Sequence, residues 1–292
     1  MMKSVNLVCV VAVLLMASVS NAANIRYKGS GSWDDIDDSD GAGWQGGVMP
    51  GSGDTARFNW GDNTVTLAYE APTINKFQMG VDESGGLVVN SGGVLTATGN
   101  CKVGNNNLCT GWLTINEGGV VNANGGWTMV GGNVGTTGIL TIDGGAMNIA
   151  GHLWVASHTD SIGTVDITGG SLSVGGMIGL GTVNAVDPSG GTATLSVNDG
   201  GLLVLANIHG AGTSIQPGSM LNLYGTGRIE MIGDFVGHYD TYKALGLISG
   251  NDIVANVVAT YDAGGDLTTV AVPEPATMIL LGLGGLLLRR KK

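Results

Sequence analysis

The chain has 292 residues, of which 43% are hydrophobic and only 12% charged, with 53 glycines and a formal net charge of −11. That apolar share supplies a core and excludes a disordered acidic polymer, whereas the negative balance excludes nucleic acid and disfavours anionic lipid as partners.

The N-terminus opens with Met1-Met2-Lys3, continues through a mostly apolar stretch at 7–16, and reaches Ser20-Asn21-Ala22, with small residues at −3 and −1. This reads as a secretory signal peptide, residues 1–22, cut by signal peptidase after Ala22. Cys9 lacks a small-residue lipobox before it, which argues against a lipoprotein. Of the 12 basic and 23 acidic residues, Lys3, Arg289, Arg290, Lys291, Lys292 and Glu274 fall outside the expected mature span. Seven basic and 22 acidic residues remain, a net of −15. Such a charge keeps an exported protein soluble. The seven cations are scattered along the sequence and form no obvious cluster.

Residues 23–80 precede the regular part of the chain and contain Trp33, Trp44, Trp60 and the turn sequence Pro50-Gly51-Ser52-Gly53-Asp54. They are expected to cap the open end of a stacked structure, where strand edges and core would otherwise be exposed. The acidic run Asp34-Asp35-Ile36-Asp37-Asp38-Ser39-Asp40-Gly41 is the best calcium candidate. In EF-hand register, however, Ile36 takes the first ligand position and Gly47 the place of the bidentate Glu, so a solvated loop is favoured and no metal is assigned.

Residues 81–235 carry an internal repeat. Gly-Gly pairs at 92, 118, 144, 169 and 200 recur at intervals of 26, 26, 25 and 31 residues, the mark of a solenoid. Each repeat holds three short segments of period two. Leu113 and Ile115, Leu140 and Ile142, and Val165 and Ile167 point inward in the first. Val121 and Ala123, Met147 and Ile149, and Leu172 and Val174 do so in the second. Cys101 and Val103, Thr128 and Val130, and Leu153 and Val155 do so in the third. Alternation predicts strands, and Gly-Gly supplies a corner where positive φ costs little. The predicted fold is therefore all-β, a parallel β-helix solenoid with about 25 residues and three strands per coil. The outward ladder of the first strand, Val88, Thr114, Thr141, Asp166, Ser196 and Asn222, contains one carboxylate. It offers no acid–base pair, and its short run of Thr is too brief for an ice-binding surface. His152 and His158 show no catalytic partner.

Cys101 and Cys109 are the cysteines of the mature span, and an oxidising compartment permits a disulfide between them. The bridge is favoured over two separate thiols, and a metal site is not expected.

Residues 236–271 form a C-terminal cap, with a short helix expected at 239–248 and strands at 253–258 and 268–272. The last segment, 272–292, joins Val272-Pro273-Glu274-Pro275 to an apolar run at 276–288 and to Arg289-Arg290-Lys291-Lys292. Thirteen apolar residues make a helix of about 20 Å against a hydrocarbon core of about 30 Å, a marginal transmembrane segment. The four cations hold the extreme C-terminus on the cytoplasmic side.

This tail resembles the PEP-CTERM sorting signal of exported bacterial proteins, a motif sometimes labelled an ice-binding protein C-terminal domain. The resemblance implies recognition at Pro273, Glu274 and Pro275 by an exosortase-type transpeptidase, with transient membrane contact through the tail. It also implies a setting of extracellular polysaccharide. The unit at 138–145 is similar to repeats of autotransporter-type and PEP-CTERM surface proteins, and the tryptophan-rich opening is similar to that of exported bacterial β-helix proteins. Together these point to an exported, non-enzymatic protein of the cell envelope or extracellular matrix, without cofactor. The alternative is a polysaccharide-binding or polysaccharide-degrading β-helix protein.

Overall fold

A computed structural model describes residues 22–37, 39, 42–106, 108–182, 190–208 and 214–273. The chain winds into a β-solenoid of about seven turns whose strands stack into three parallel columns, here called the first, second and third faces.

The first face runs from Asn63–Leu67 through Gly85–Val89, Thr110–Asn116, Thr137–Asp143, Ile162–Thr168, Thr192–Val197 and Met220–Leu223 to Ile248–Gly250. Its register is unbroken: Leu67, Val89, Ile115, Ile142, Ile167, Val197 and Leu223 stand in one inward column, all of them buried. Parallel strands lie about 4.8 Å apart, so each of these side chains packs on its equivalents above and below. The second face stacks Val94–Ala97, Val120–Ala123, Ala146–Ile149, the start of Ser171–Leu180, Leu202–Asn207 and Arg228–Ile232. The third stacks Asn24–Lys28, Thr55–Phe58, Lys76–Met79, Cys101–Val103, Trp127–Val130, His152–Val155 and the end of Ser171–Leu180. The ten-residue strand Ser171–Leu180 passes through the corner between these two faces, with its register shift between Val174 and Met177.

The Gly-Gly pairs turn the corner between the first and second faces, and the two glycines serve different ends. The leading one adopts positive φ, +73° at Gly118 and +76° at Gly144. The second lies flat on the coil beneath: a Cβ on Gly119 would stand 2.6 Å from the Val89 carbonyl oxygen. Only a residue without a side chain satisfies both conditions.

Stacking begins earlier than the Gly-Gly repeat. Strands Asn24–Lys28, Thr55–Phe58 and Lys76–Met79 already pair in parallel on the third face, so the segment 23–80 is cap and first coils together. At the open end Trp33, Trp44, Tyr27 and Phe58 fill the interior as an edge-to-face cluster, with Trp33 and Trp44 centroids 4.9 Å apart. The Trp44 indole N–H donates to the Trp33 carbonyl at 2.6 Å. Trp60, expected with the other tryptophans, is exposed. Asp54 ties the following turn, accepting from Gly51 N and Ala23 N at 2.9 Å each.

Both ends stop the parallel stack with antiparallel strands. Gly43–Trp44 runs antiparallel to Asn24–Lys28. At the other end Leu267–Ala271 lies antiparallel between Arg228–Ile232 and Val258–Asp262. The helix α1, Val236–Ala244, covers the last coil with buried Tyr239 and Tyr242. It begins and ends three to four residues earlier than the sequence suggested, because Gly246 at φ +71° terminates it.

Candidate functional site

The sorting segment leaves the fold at a defined point. Leu267–Ala271 is hydrogen-bonded on both edges, Val272 is still buried, and Pro273 is exposed. The cap thus ends one residue before the Pro-Glu-Pro sequence, and a cut there leaves every described strand in place. Glu274, Pro275, the apolar run 276–288 and the basic end lie outside the described residues, as do residues 1–21 of the expected signal peptide. Among the described residues no helix is long and apolar enough to cross a membrane.

The outward ladder of the first face contains the six residues expected from the sequence and extends to Thr66 at one end and Ser249 at the other. Polar side chains at the end of this face and on the second face bond from coil to coil. Asn116 Nδ2 donates to Asn90 Oδ1 at 2.7 Å, Asn148 Nδ2 to Asn122 Oδ1 at 2.9 Å, and Ser249 Oγ to Asn222 Oδ1 at 2.6 Å. Asp166 sits between Thr141 and Ser196. Partial burial raises its carboxyl above the ordinary aspartate value, and the Ser196 hydrogen bond offsets part of that shift.

The third face corrects the sequence reading of scattered cations. Its outward central column runs Arg26, Arg57, Gln78, Lys102, Met129, Trp154 and Gly179 in continuous register. Lys28 and Lys76 project from the same strands at alternate positions. Five of the seven cations between residues 23 and 272 therefore share one outer face. The six strands from Asn24–Lys28 to His152–Val155 contain no carboxylate. Asp82, from the neighbouring loop, pairs with Arg26 at 2.5 Å. Arg57 makes no ion pair among the described residues, and burial together with the Arg26 charge lowers its pKa. Its Nε and the neighbouring Gln78 Oε1 are buried without hydrogen-bond partners. The spacing 26, 57, 78, 102 has no fixed period, which hid this column in the linear sequence.

Aromatic side chains continue the same face. The Lys102 ammonium lies 5.7 Å from the Trp127 ring centroid and donates to Asn133 Oδ1 at 3.2 Å. His152, paired with Trp127 in register, stacks on Trp154 at 5.3 Å. Its Nδ1 accepts from Met177 N at 2.9 Å, which leaves Nε2 as the N–H of the neutral ring. His158, in the next corner, has its Nδ1 3.0 Å from Ser157 Oγ, and burial lowers its pKa.

Cys101 and Cys109 differ from expectation, standing as two separate buried thiols. Cys101 opens the strand Cys101–Val103, while Cys109 lies past the corner at that strand's far end. Burial pushes the Cys101 thiol up to about 12. In the acidic run, Asp35 and Asp37 form local turns, accepting from Asp37 N at 3.2 Å and Ser39 N at 3.0 Å. Asp38, Asp40 and Gly41 lie outside the described residues. Among the described residues no group of three metal-ligating side chains converges.

A family model for the PEP-CTERM protein-sorting motif matches residues 271–292. The chain therefore carries the sorting signal of an exported protein bound for the cell envelope or surface. No curated protein and no solved structure matches the chain.

Proposed function

We propose that this protein is a non-enzymatic component of the cell envelope or extracellular matrix, a rigid solenoid delivered by its two end signals. Signal peptidase removes residues 1–22, and an exosortase-type transpeptidase acts at Pro273-Glu274-Pro275 after transient insertion of the tail. The observation that carries this reading is the coincidence of the sorting motif with the end of the cap: the last cap strand closes at Ala271 and the motif match starts there. Processing at that point separates a complete solenoid from its address.

Further support comes from the outer polar side chains, whose hydrogen bonds run from coil to coil and stiffen the stack. A polysaccharide-degrading reading would place the acid at Asp166, but its register neighbours Thr141 and Ser196 bring neither a second carboxylate nor a cation. Replacing Pro273, Glu274 and Pro275 with alanine tests the reading. Export through the N-terminal signal should continue while uncut precursor accumulates in the membrane. Normal release of the triple-alanine protein would overturn it, and turnover of acidic or neutral polysaccharides by the purified protein would restore the enzyme alternative.

A further inference from the structure

We infer that the third outer face binds an acidic, carboxylate-bearing polysaccharide, with Arg57 and Lys102 engaging its carboxylates and Trp127 and His152 its sugar rings. The inference rests on the extracellular setting proposed above and assigns it a ligand class and a site.

Charge is the first argument. The span from 23 to 272 carries 22 acidic and seven basic residues, yet five of the seven lie on this face and none of its seven stacked strands holds a carboxylate. An acidic protein with one cationic face favours a polyanion there and repels it elsewhere, which fixes where and how the polymer lies.

Geometry is the second. Arg26, Arg57, Gln78 and Lys102 follow one another across adjacent strands, a rise of about 4.8 Å per step. That step is close to the length of one pyranose ring in an extended chain, so a polymer laid along the solenoid axis meets a new polar side chain with each sugar. Arg57 contributes a guanidinium that forms no ion pair among the described residues and sits beside the orphaned Gln78 Oε1. A planar carboxylate suits the guanidinium fork.

The chemistry of the column also changes along its length. Past Lys102 it turns aromatic, with Trp127 under the ammonium and His152 stacked on Trp154. Ring faces beside cations match the C–H faces and carboxylates of a uronic acid polymer. A polypeptide of acidic residues lacks the rings for that half of the face, and a bilayer would require more than one narrow strip.

Asp82 is the built-in opponent. It occupies Arg26 at 2.5 Å and also accepts from Asn59 Nδ2 at 3.4 Å, so removing its charge should help binding.

The test is titration of the purified protein with polygalacturonate, the same polymer after carboxyl reduction, polyglutamate, and vesicles containing phosphatidylglycerol. Polygalacturonate should bind, more weakly as salt rises, while the reduced polymer should not. R57Q with K102Q should weaken binding about tenfold or more, and D82N should tighten it severalfold. K243Q, on the cap helix, should leave it unchanged, with melting curves confirming that all variants are folded. The inference is overturned if polygalacturonate does not bind, if the reduced polymer binds equally, if polyglutamate or vesicles bind better, or if the double variant binds like the parent. Processing at the tail is read separately by mass, so loss of binding with normal processing would sink this inference alone.

Discussion

The carbonyl oxygen of Asn116 lies 2.6 Å from the position a Cβ on Gly145 would occupy. This contact between consecutive coils explains the second glycine of each pair better than any backbone preference does, because Gly145 has no positive φ. A carbonyl in a hydrogen-bonded stack yields little, so Gly145→Ala should cost about 1–3 kcal/mol. Gly126 tests the specificity of the claim. Its nearest neighbour to a new Cβ is the Asn100 side-chain oxygen at 3.5 Å, and Gly126→Ala should stay within about 0.5 kcal/mol of the parent. Chemical denaturation of both variants checks the pair.

The inward column makes a sharper demand. Ile142 is fully buried between Ile115 and Ile167, whereas Thr114, one strand over, faces out between Val88 and Thr141. Ile142→Asp buries an unpaired carboxylate and should cost about 3–5 kcal/mol, unfolding neighbouring coils. Thr114→Asp should cost less than about 1 kcal/mol. Equal losses in thermal melts would contradict the face assignment.

Asp166 predicts a pH dependence. Its folded pKa is raised, chiefly by burial, so between the ordinary aspartate value of about 3.9 and that raised value the folded state holds more protons than the unfolded one. Stability from this group is fully present below that window and declines as pH rises through it. Asp166→Asn cannot titrate and should lose this decline. Melting both proteins from pH 3 to pH 7 should show the parent falling relative to the variant; a parallel course would remove the burial argument.

The two cysteines yield a chemical prediction. With its thiol pushed up to about 12 in the core, Cys101 should resist alkylation in the folded protein at neutral pH. After denaturation without reductant both Cys101 and Cys109 should react. Recovery of the pair as a disulfide-linked peptide would reinstate the bridge expected from the sequence.

The repeat was legible because each coil restates the same constraints: inward Leu, Ile or Val at period two, then Gly-Gly where the corner admits no side chain. Leu113, Leu140 and Val165 could be aligned by eye for that reason. The first coils were not, since residues 43–54 interrupt the spacing, and at Glu70 and Ile74 the second face makes only isolated bridges. The cationic column was invisible for a different reason. Arg26, Arg57 and Lys102 become neighbours only after the lengths of the intervening coils are known, and those lengths differ. The helix stands earlier than 239–248 because burial of Tyr239 and Tyr242 against the last coil sets its position, and Gly246 at φ +71° ends it.

The intact mass of the protein recovered from the cell surface or medium tests the sorting reading most directly. Processing at both ends predicts a chain that begins at Ala23 and lacks the basic terminus, with all three faces of the solenoid and both caps retained. Recovered protein that still carries Arg289, Arg290, Lys291 and Lys292 would make the tail a permanent anchor and contradict sorting at Pro273-Glu274-Pro275.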